Sequence, residues 1–242
     1  MISKKKQYKA LLLDLDGTLL DLDIEKFIPA YIEALSAKFN GFVNRDRFVQ
    51  YLFRATNKVI QNNDPLKKNE TVFYEEFCRL LGLSYKQIKP LEIEFYRDDF
   101  PSLSCWGREH PCARLVIEAA RRKNLTLVLA TNPIFPAAAI LQRLSWGGLS
   151  EELFDLITTM ENMHFCKPNP AYYLEITNII NCLPENCLMA GNDTIEDLSA
   201  AEAGLDTFLV EDFILHRSKE EPFSNYRGSL KDLAFFIDSL KD

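Results

Sequence analysis

The sequence contains no uninterrupted apolar segment long enough to cross a membrane. An apolar run does follow Lys4-Lys5-Lys6, but Asp14 and Asp16 break it. What remains is too short and too acidic for a signal peptide. A basic excess is also missing. The net charge is −7 at pH 7, which argues against a general nucleic-acid binder. An anionic substrate remains compatible with that balance, because a few local cations and a metal reverse the field inside one cleft. No CxxC pair occurs among the six cysteines (Cys78, Cys105, Cys112, Cys166, Cys182 and Cys187), and the three histidines are not grouped with them. That argues against a zinc site, and buried, reduced thiols in a cytoplasmic protein are expected instead. Neither an internal repeat nor a low-complexity tract is present.

What is there reads as globular: 47% hydrophobic and 26% charged residues in a chain of 242. That length suits one domain, or a core with an insertion. The organising stretch is Asp14-Leu-Asp16-Gly17-Thr18-Leu19-Leu20, directly after the apolar run Ala10-Leu-Leu-Leu13. Such a run suits a strand buried on both faces of a parallel sheet. Side chains two apart on a strand point the same way, so Asp14 and Asp16 are expected to address one site. Gly17 lets the backbone turn there. Three readings compete. Asp14 is a nucleophile and Asp16 a general acid/base, acting with a divalent cation on a phosphate ester. Or residues 14–25 form a calcium loop, although its glycine falls fourth rather than sixth and a strand precedes it. Or the stretch is a solvated acidic turn.

Further along, helical spacing predicts four helices in a row: Ile24 to Phe39, Phe48 to Ile60, Glu70 to Leu81 and Tyr85 to Phe95, the last with an ambiguous break at Pro90. No strand is predicted between about residues 22 and 100, so a small bundle is expected. From about residue 111 helix and strand alternate. Helices are predicted over Pro111 to Lys123, Ile134 to Leu144, Asn169-Pro170 to about Ile180, Thr194 to Ala203 and Leu230 to Leu240. Strands are predicted over Leu125 to Ala130, Phe154 to Thr158, Cys187 to Ala190 and Thr207 to Val210. This alternation points to a parallel sheet with helices on both faces.

Polar clusters stand at successive strand ends or helix starts. Thr131-Asn132 offers a hydroxyl and an amide for phosphoryl oxygens, or simply a turn before Pro133. Lys167, in Lys167-Pro168-Asn169-Pro170, supplies a point charge that neutralises a carboxylate and a phosphate, or is an exposed lysine. Gly191-Asn192-Asp193-Thr-Ile-Glu196-Asp197 opens a predicted helix on which Asp193 and Asp197 share a face. Paired carboxylates there suit a hard cation such as Mg²⁺, or merely favour the helix N-terminus. Together the clusters supply a nucleophile, an acid/base, oxygen-binding groups, a cation and metal ligands. Those are the parts that phosphoryl transfer to a carboxylate requires.

With DLDGTL at 14–19, Thr131-Asn132, Lys167 in KPNP and GNDTIED at 191–197, the chain resembles the haloacid dehalogenase superfamily. The resemblance implies an α/β fold: a Rossmann-like doubly wound parallel sheet core over residues 1–21 and 107–242, with an inserted α-helical bundle cap over 22–106. It implies that Asp14 attacks phosphorus to form an aspartyl-phosphate. Asp16 then serves as acid and base, and its backbone carbonyl touches Mg²⁺. Thr18, Thr131 and Asn132 bind the transferring oxygens, and Lys167 balances charge. The metal set is Asp14 and Asp16 with candidates Asn192, Asp193 and Asp197, since Asn192 stands where many relatives read an acid directly after glycine. Whether Asn192 or Asp193 is the ligand, and whether Glu196 or Asp197 is the second acid, stays open. The expected activity is hydrolysis of a small phosphorylated metabolite of the phosphoglycolate, sugar-phosphate or nucleotide type. A β-phosphoglucomutase-like mutase and a non-catalytic binding protein are the alternatives. Arg54, Asn57 and Lys58 either grip a substrate from the cap or form a solvated helix face.

Overall fold

The structure, a computed structural model, describes residues 6–217 and 223–240. Lys4 and Lys5 of the basic start therefore lie outside the described residues. The predicted first strand is present as β1 (Ala10–Leu13), whose four residues are fully buried. Burial on both faces follows from its place at the centre of the sheet. Parallel ladders join it to β4 (Thr126–Leu129) on one side and β6 (Cys187–Gly191) on the other. Outside these lie β5 (Leu156–Ile157), beyond β4, and β7 (Asp206–Val210) followed by β8 (Tyr226–Gly228), beyond β6. The order β5-β4-β1-β6-β7-β8 is parallel throughout, as the alternating pattern demanded. The chain leaves β1 in one direction along the sheet and later returns on its other side. Open α/β sheets bind ligands at such a reversal, beyond the carboxyl ends of the strands.

Between β1 and β4 run the predicted helices α1 (Ile24–Lys38), α2 (Arg45–Ile60), α3 (Asn69–Leu81) and α4 (Tyr85–Glu94). Local chemistry sets their ends. Asp23 accepts from the Lys26 amide, Asn44 accepts from the Arg47 amide, and Ser84 forms a capping box with Gln87. Gly82 closes α3 in the left-handed region, at φ +68°. Pro90 does not break α4; it stands inside the helix, which continues into a π-helical turn at Phe95–Asp99 and a 3₁₀ stretch at Phe100–Trp106.

Three strands were not predicted, β8 at the sheet's edge and a separate pair. β2 (Leu20–Leu22) pairs antiparallel with β3 (Gly107–Glu109), so the two ends of the helical segment meet side by side. The remaining helices are α5 (Ala113–Arg122), α6 (Ala137–Trp146), α7 (Pro170–Ile179) and α8 (Leu230–Asp238). A second correction concerns residues 194–203. They are not an α-helix but turns leading to a 3₁₀ stretch over Leu198–Ala203, closed by Gly204 at φ +90°. One apolar cluster runs without interruption from β1 (Leu11, Leu13) through α1 (Phe27, Tyr31) to α3 (Phe77). A smaller one on the other side of the sheet gathers Leu12, Val128 and Met189 under Tyr172 and Tyr173. The six cysteines are free. Cys166 and Cys187 are buried as expected, but Cys105 is exposed. No helix among the described residues is long and apolar enough to cross a membrane.

Candidate active site

The loop after β1 turns on Gly17, which holds φ +79° while the amides of Thr18, Leu19 and Leu20 all bond back to the Leu15 carbonyl. A side chain at Gly17 would also overlap the Asn192 amide group, so conformation and space both require glycine. This turn leaves Asp14 and Asp16 on one cavity of about 150 Å³. Thr131 and Asn132 reach it from the end of β4, and Asn192, Asp193, Glu196 and Asp197 from the end of β6. Ile24, Phe27 and Ile28 of the first inserted helix region and Ile134 and Phe135 of the β4–α6 loop make its apolar wall. The four polar clusters of the sequence therefore meet in space.

Two predicted site residues stand behind the cavity wall rather than on it. Lys167 is 1% exposed, and its Nζ donates to Asp14 Oδ1 at 2.8 Å and to Asp197 Oδ1 at 2.6 Å. Burial works against the ammonium, but Asp14 and Asp197 together hold its pKa well above the ordinary lysine value. Thr18 is fully buried and donates its hydroxyl to Asn192 Oδ1 at 3.2 Å. Asn192 in turn donates Nδ2 to the Phe213 carbonyl at 2.7 Å.

The acids of the 191–197 segment separate into different tasks. Asp197 accepts from Lys167 through Oδ1 and from the Asp193 amide through Oδ2 at 2.9 Å, so neither oxygen is free. Positions 193 and 197 are joined twice, since the Asp197 amide also donates to the Asp193 carbonyl at 3.1 Å. Asp193 Oδ1 accepts the amides of Ile195 and Glu196. Its Oδ2 is buried and lies 2.5 Å from Arg217 Nε without the alignment of a hydrogen bond. Glu196 accepts from Asn132 Nδ2 at 2.9 Å, and burial pushes its carboxyl pKa upward. Burial likewise raises Asp14, against the pull of Lys167, and raises Asp16, against Arg143 and Lys167.

Sequence reasoning missed two arginines that line the site, Arg217, which pairs with Asp193 and Glu196, and Arg143. Arg143 lies on α6, is 1% exposed, and pairs through Nη1 with Asp16. Its guanidinium carbon sits 4.4 Å from the centre of the Phe135 ring. Nε and Nη2, which form the other edge of the guanidinium fork, are buried without a hydrogen-bond partner. Arg143 lines the cavity, and a guanidinium fork is the geometry that receives two oxygens of a phosphoryl or carboxylate group. The sequence did carry a signal: Arg143 falls in register with Ala139, Ile140 and Leu144, on the buried face of its helix. Arg54 and Lys58, by contrast, lie on the exposed side of α2 and pair with Glu76, and neither they nor Asn57 lines this cavity.

The donor set suits a hard divalent cation. Asp14, Asp16 and Asp193 all face the cavity, and Asp16 Oδ1 and Asp193 Oδ2 are buried oxygens with no hydrogen bond. Among the described residues no group of three or more histidine, cysteine or acidic side chains is gathered closely enough to hold a metal ion by itself. Mg²⁺ does not require one, because it is commonly held by one or two carboxylates plus waters and substrate phosphate.

The model of the haloacid dehalogenase-like hydrolases matches residues 8–204. No curated protein matches the chain in sequence. Solved structures share its fold. A HAD phosphatase from Thermococcus onnurineus superposes with a TM-score of 0.59 at 20% identity, over 95% of this chain and 97% of its own. A hydrolase from Pseudomonas syringae gives 0.60 at 18% identity, over 97% and 100%. The L-2-haloacid dehalogenase from Xanthobacter autotrophicus, with chloropropionic acid covalently bound, gives 0.56 at 12%, over 97% and 100%.

Proposed function

Because the chain belongs to the haloacid dehalogenase-like hydrolases, we propose that it is a Mg²⁺-dependent phosphatase of a small phosphorylated metabolite. The observation that carries this reading is the second carboxylate. Asp16 stands two residues after Asp14 on the same cavity. Phosphate ester cleavage needs an acid for the departing oxygen, whereas displacement of a halide does not. In this reading Asp14 attacks phosphorus through the oxygen that Lys167 leaves unbound, and an aspartyl-phosphate forms. Asp16 donates a proton to the leaving oxygen and then takes one from the hydrolytic water. Thr131 and Asn132 hold phosphoryl oxygens. Lys167 fixes the Asp14 carboxylate, and Asp197 fixes Lys167. Thr18 positions Asn192 rather than touching substrate.

Asp14, Asp16 and Asp193 are the residues that would hold Mg²⁺, with Asn192 engaged instead by Thr18 and the Phe213 carbonyl. The ion supplies charge neutralisation at the phosphoryl oxygens. Residues 22–106 act as a cap that shields the reaction from water. The test is turnover of an aryl phosphate by the EDTA-treated protein, with and without added Mg²⁺. Activity is expected only with the ion, and Asp14→Asn is expected to abolish it. Turnover that survives Asp14→Asn excludes Asp14 as nucleophile.

A further inference from the structure

A second cavity, of about 130 Å³, adjoins the first. The two share Ile28, Ile134 and Phe135 as a common wall. Beyond that wall the second cavity runs among the inserted helices, between Leu35 of α1, Leu52 of α2 and Phe73 and Phe77 of α3. Its polar groups are few, the Thr56 hydroxyl among them, and most bond to one another. The Tyr31 and Tyr96 hydroxyls bond to each other at 3.0 Å, and Glu92 takes the Tyr74 hydroxyl. None of its lining residues has a buried side-chain polar atom without a partner. The first cavity differs in kind, for Asp16, Asn132, Arg143 and Asp193 all bring such atoms to it.

This contrast bears on what is attached to the phosphate. A sugar or short polyol entering the second cavity would exchange water for walls that are mostly apolar and have few partners for its several hydroxyls, and each one left unpaired disfavours entry. An apolar group meets no such penalty. A cavity of about 150 Å³ lined by Leu, Ile and Phe is large enough to bind benzene, so the space here suits a six-carbon ring or chain. We propose that the phosphate ester carries an apolar organic group of about that size, seated between the inserted helices, while its phosphate occupies the carboxylate cavity. The proposal rests on the phosphatase reading for the phosphate, but on the second cavity alone for the apolar group.

A ladder of n-alkyl phosphates from ethyl to hexyl tests it, because the leaving alcohols differ little in basicity. Each buried methylene is expected to raise kcat/KM about fourfold, so hexyl phosphate exceeds ethyl phosphate by roughly 10²-fold. Glucose 6-phosphate is expected to fall well below hexyl phosphate. Leu52→Trp fills the space and is expected to flatten the ladder. Independently of turnover and of any variant, hexylphosphonate is expected to raise the Tm of the native chain more than methylphosphonate. Equal kcat/KM along the ladder, or equal Tm shifts for the two phosphonates, overturns the proposal. If no ester is hydrolysed but hexylphosphonate still stabilises more than methylphosphonate, the phosphatase reading falls and the apolar site stands.

Discussion

Lys167→Met removes the one cation that joins Asp14 to Asp197. The methionine has a similar length and keeps the packing, but the two carboxylates then face each other across a buried space. In the native chain they lie 2.8 and 2.6 Å from Nζ, and Lys167 and Asp197 are each 1% exposed. Removing one partner of such a buried arrangement costs about 3–5 kcal/mol, out of a total stability of roughly 5–15 kcal/mol. For a chain of this size each kcal/mol lowers Tm by about 2–4 °C, so the expected fall at pH 7 is roughly 6–20 °C. The loss is expected to depend on pH with a definite sign. Without the ammonium, burial and repulsion from Asp197 act unopposed on Asp14 and raise its carboxyl pKa further above the unfolded value of about 3.9. The folded variant then binds more protons than the unfolded chain, and its stability falls as pH rises above that value. Urea unfolding at pH 4 and pH 7 measures both effects, in EDTA so that no divalent cation replaces the ammonium. Adding Asp197→Asn keeps the acceptor for the Asp193 amide and removes one charge, so the double variant is expected to be more stable than Lys167→Met alone at pH 7. A single variant within about 1 kcal/mol of the native chain, or one whose deficit ignores pH, refutes the reasoning.

Arg143→Lys keeps a charge beside Asp16 but loses the fork. Its turnover of an alkyl phosphate is expected to fall more than its turnover of p-nitrophenyl phosphate, because only the poorer leaving group needs the acid that Arg143 orients; Asp16→Asn, expected to slow alkyl turnover roughly 10²–10⁴-fold, sets the limit. Gly191→Ala places a methyl group on the Asp197 carboxylate and is expected to lower Tm and activity together, since Lys167 loses a partner; unchanged unfolding excludes that packing. Burial raises the Glu92 carboxyl from 4.5 to about 7, so the folded chain keeps a proton that the unfolded chain releases. Stability is therefore expected to fall by up to about 3 kcal/mol as pH rises from about 4.5 to 7, and Glu92→Gln is expected to flatten that decline in thermal unfolding curves recorded across the range.

The sequence was legible wherever a local rule decided the outcome. Ala10–Leu13 reads as a buried strand because nothing polar interrupts it, and Asp14 follows at the carboxyl end where parallel sheets place their ligands. Asn169-Pro170 opens α7 because an Asn cap and a first-turn Pro need only each other and the next amides. The rest depended on partners distant in the chain. β2 and β3 are three residues each and exist only because Leu20–Leu22 finds Gly107–Glu109 across the whole inserted segment. The 194–197 region has helical spacing and makes one α-type turn, with the Asp197 amide on the Asp193 carbonyl, but it continues as a 3₁₀ stretch from Leu198 rather than as an α-helix. Arg143 was hidden for a different reason. A charged residue on an apolar helix face can mark either a helix edge or a buried ion pair, and only the position of Asp16 decides between them.

The charge around the cavity bears on the proposal that it receives a phosphate ester. Asp14, Asp16, Asp193, Glu196 and Asp197 contribute five carboxylates; Lys167, Arg143 and Arg217 contribute three cations, all paired to those same carboxylates. Fully ionised, the group carries a formal charge of −2, and a phosphate ester approaching it adds more of the same sign. Burial raises the pKa values of Asp14, Asp16 and Glu196, against the pull of Lys167, Arg143 and Arg217. Protonating two of them would neutralise the site, but would also take the charge from the nucleophile. A divalent cation would remove the same deficit while leaving Asp14 ionised, and Asp16, which lines the cavity, keeps one oxygen without a hydrogen bond. The site's electrostatics thus favour a metal-dependent reaction on grounds separate from the spacing of its motifs.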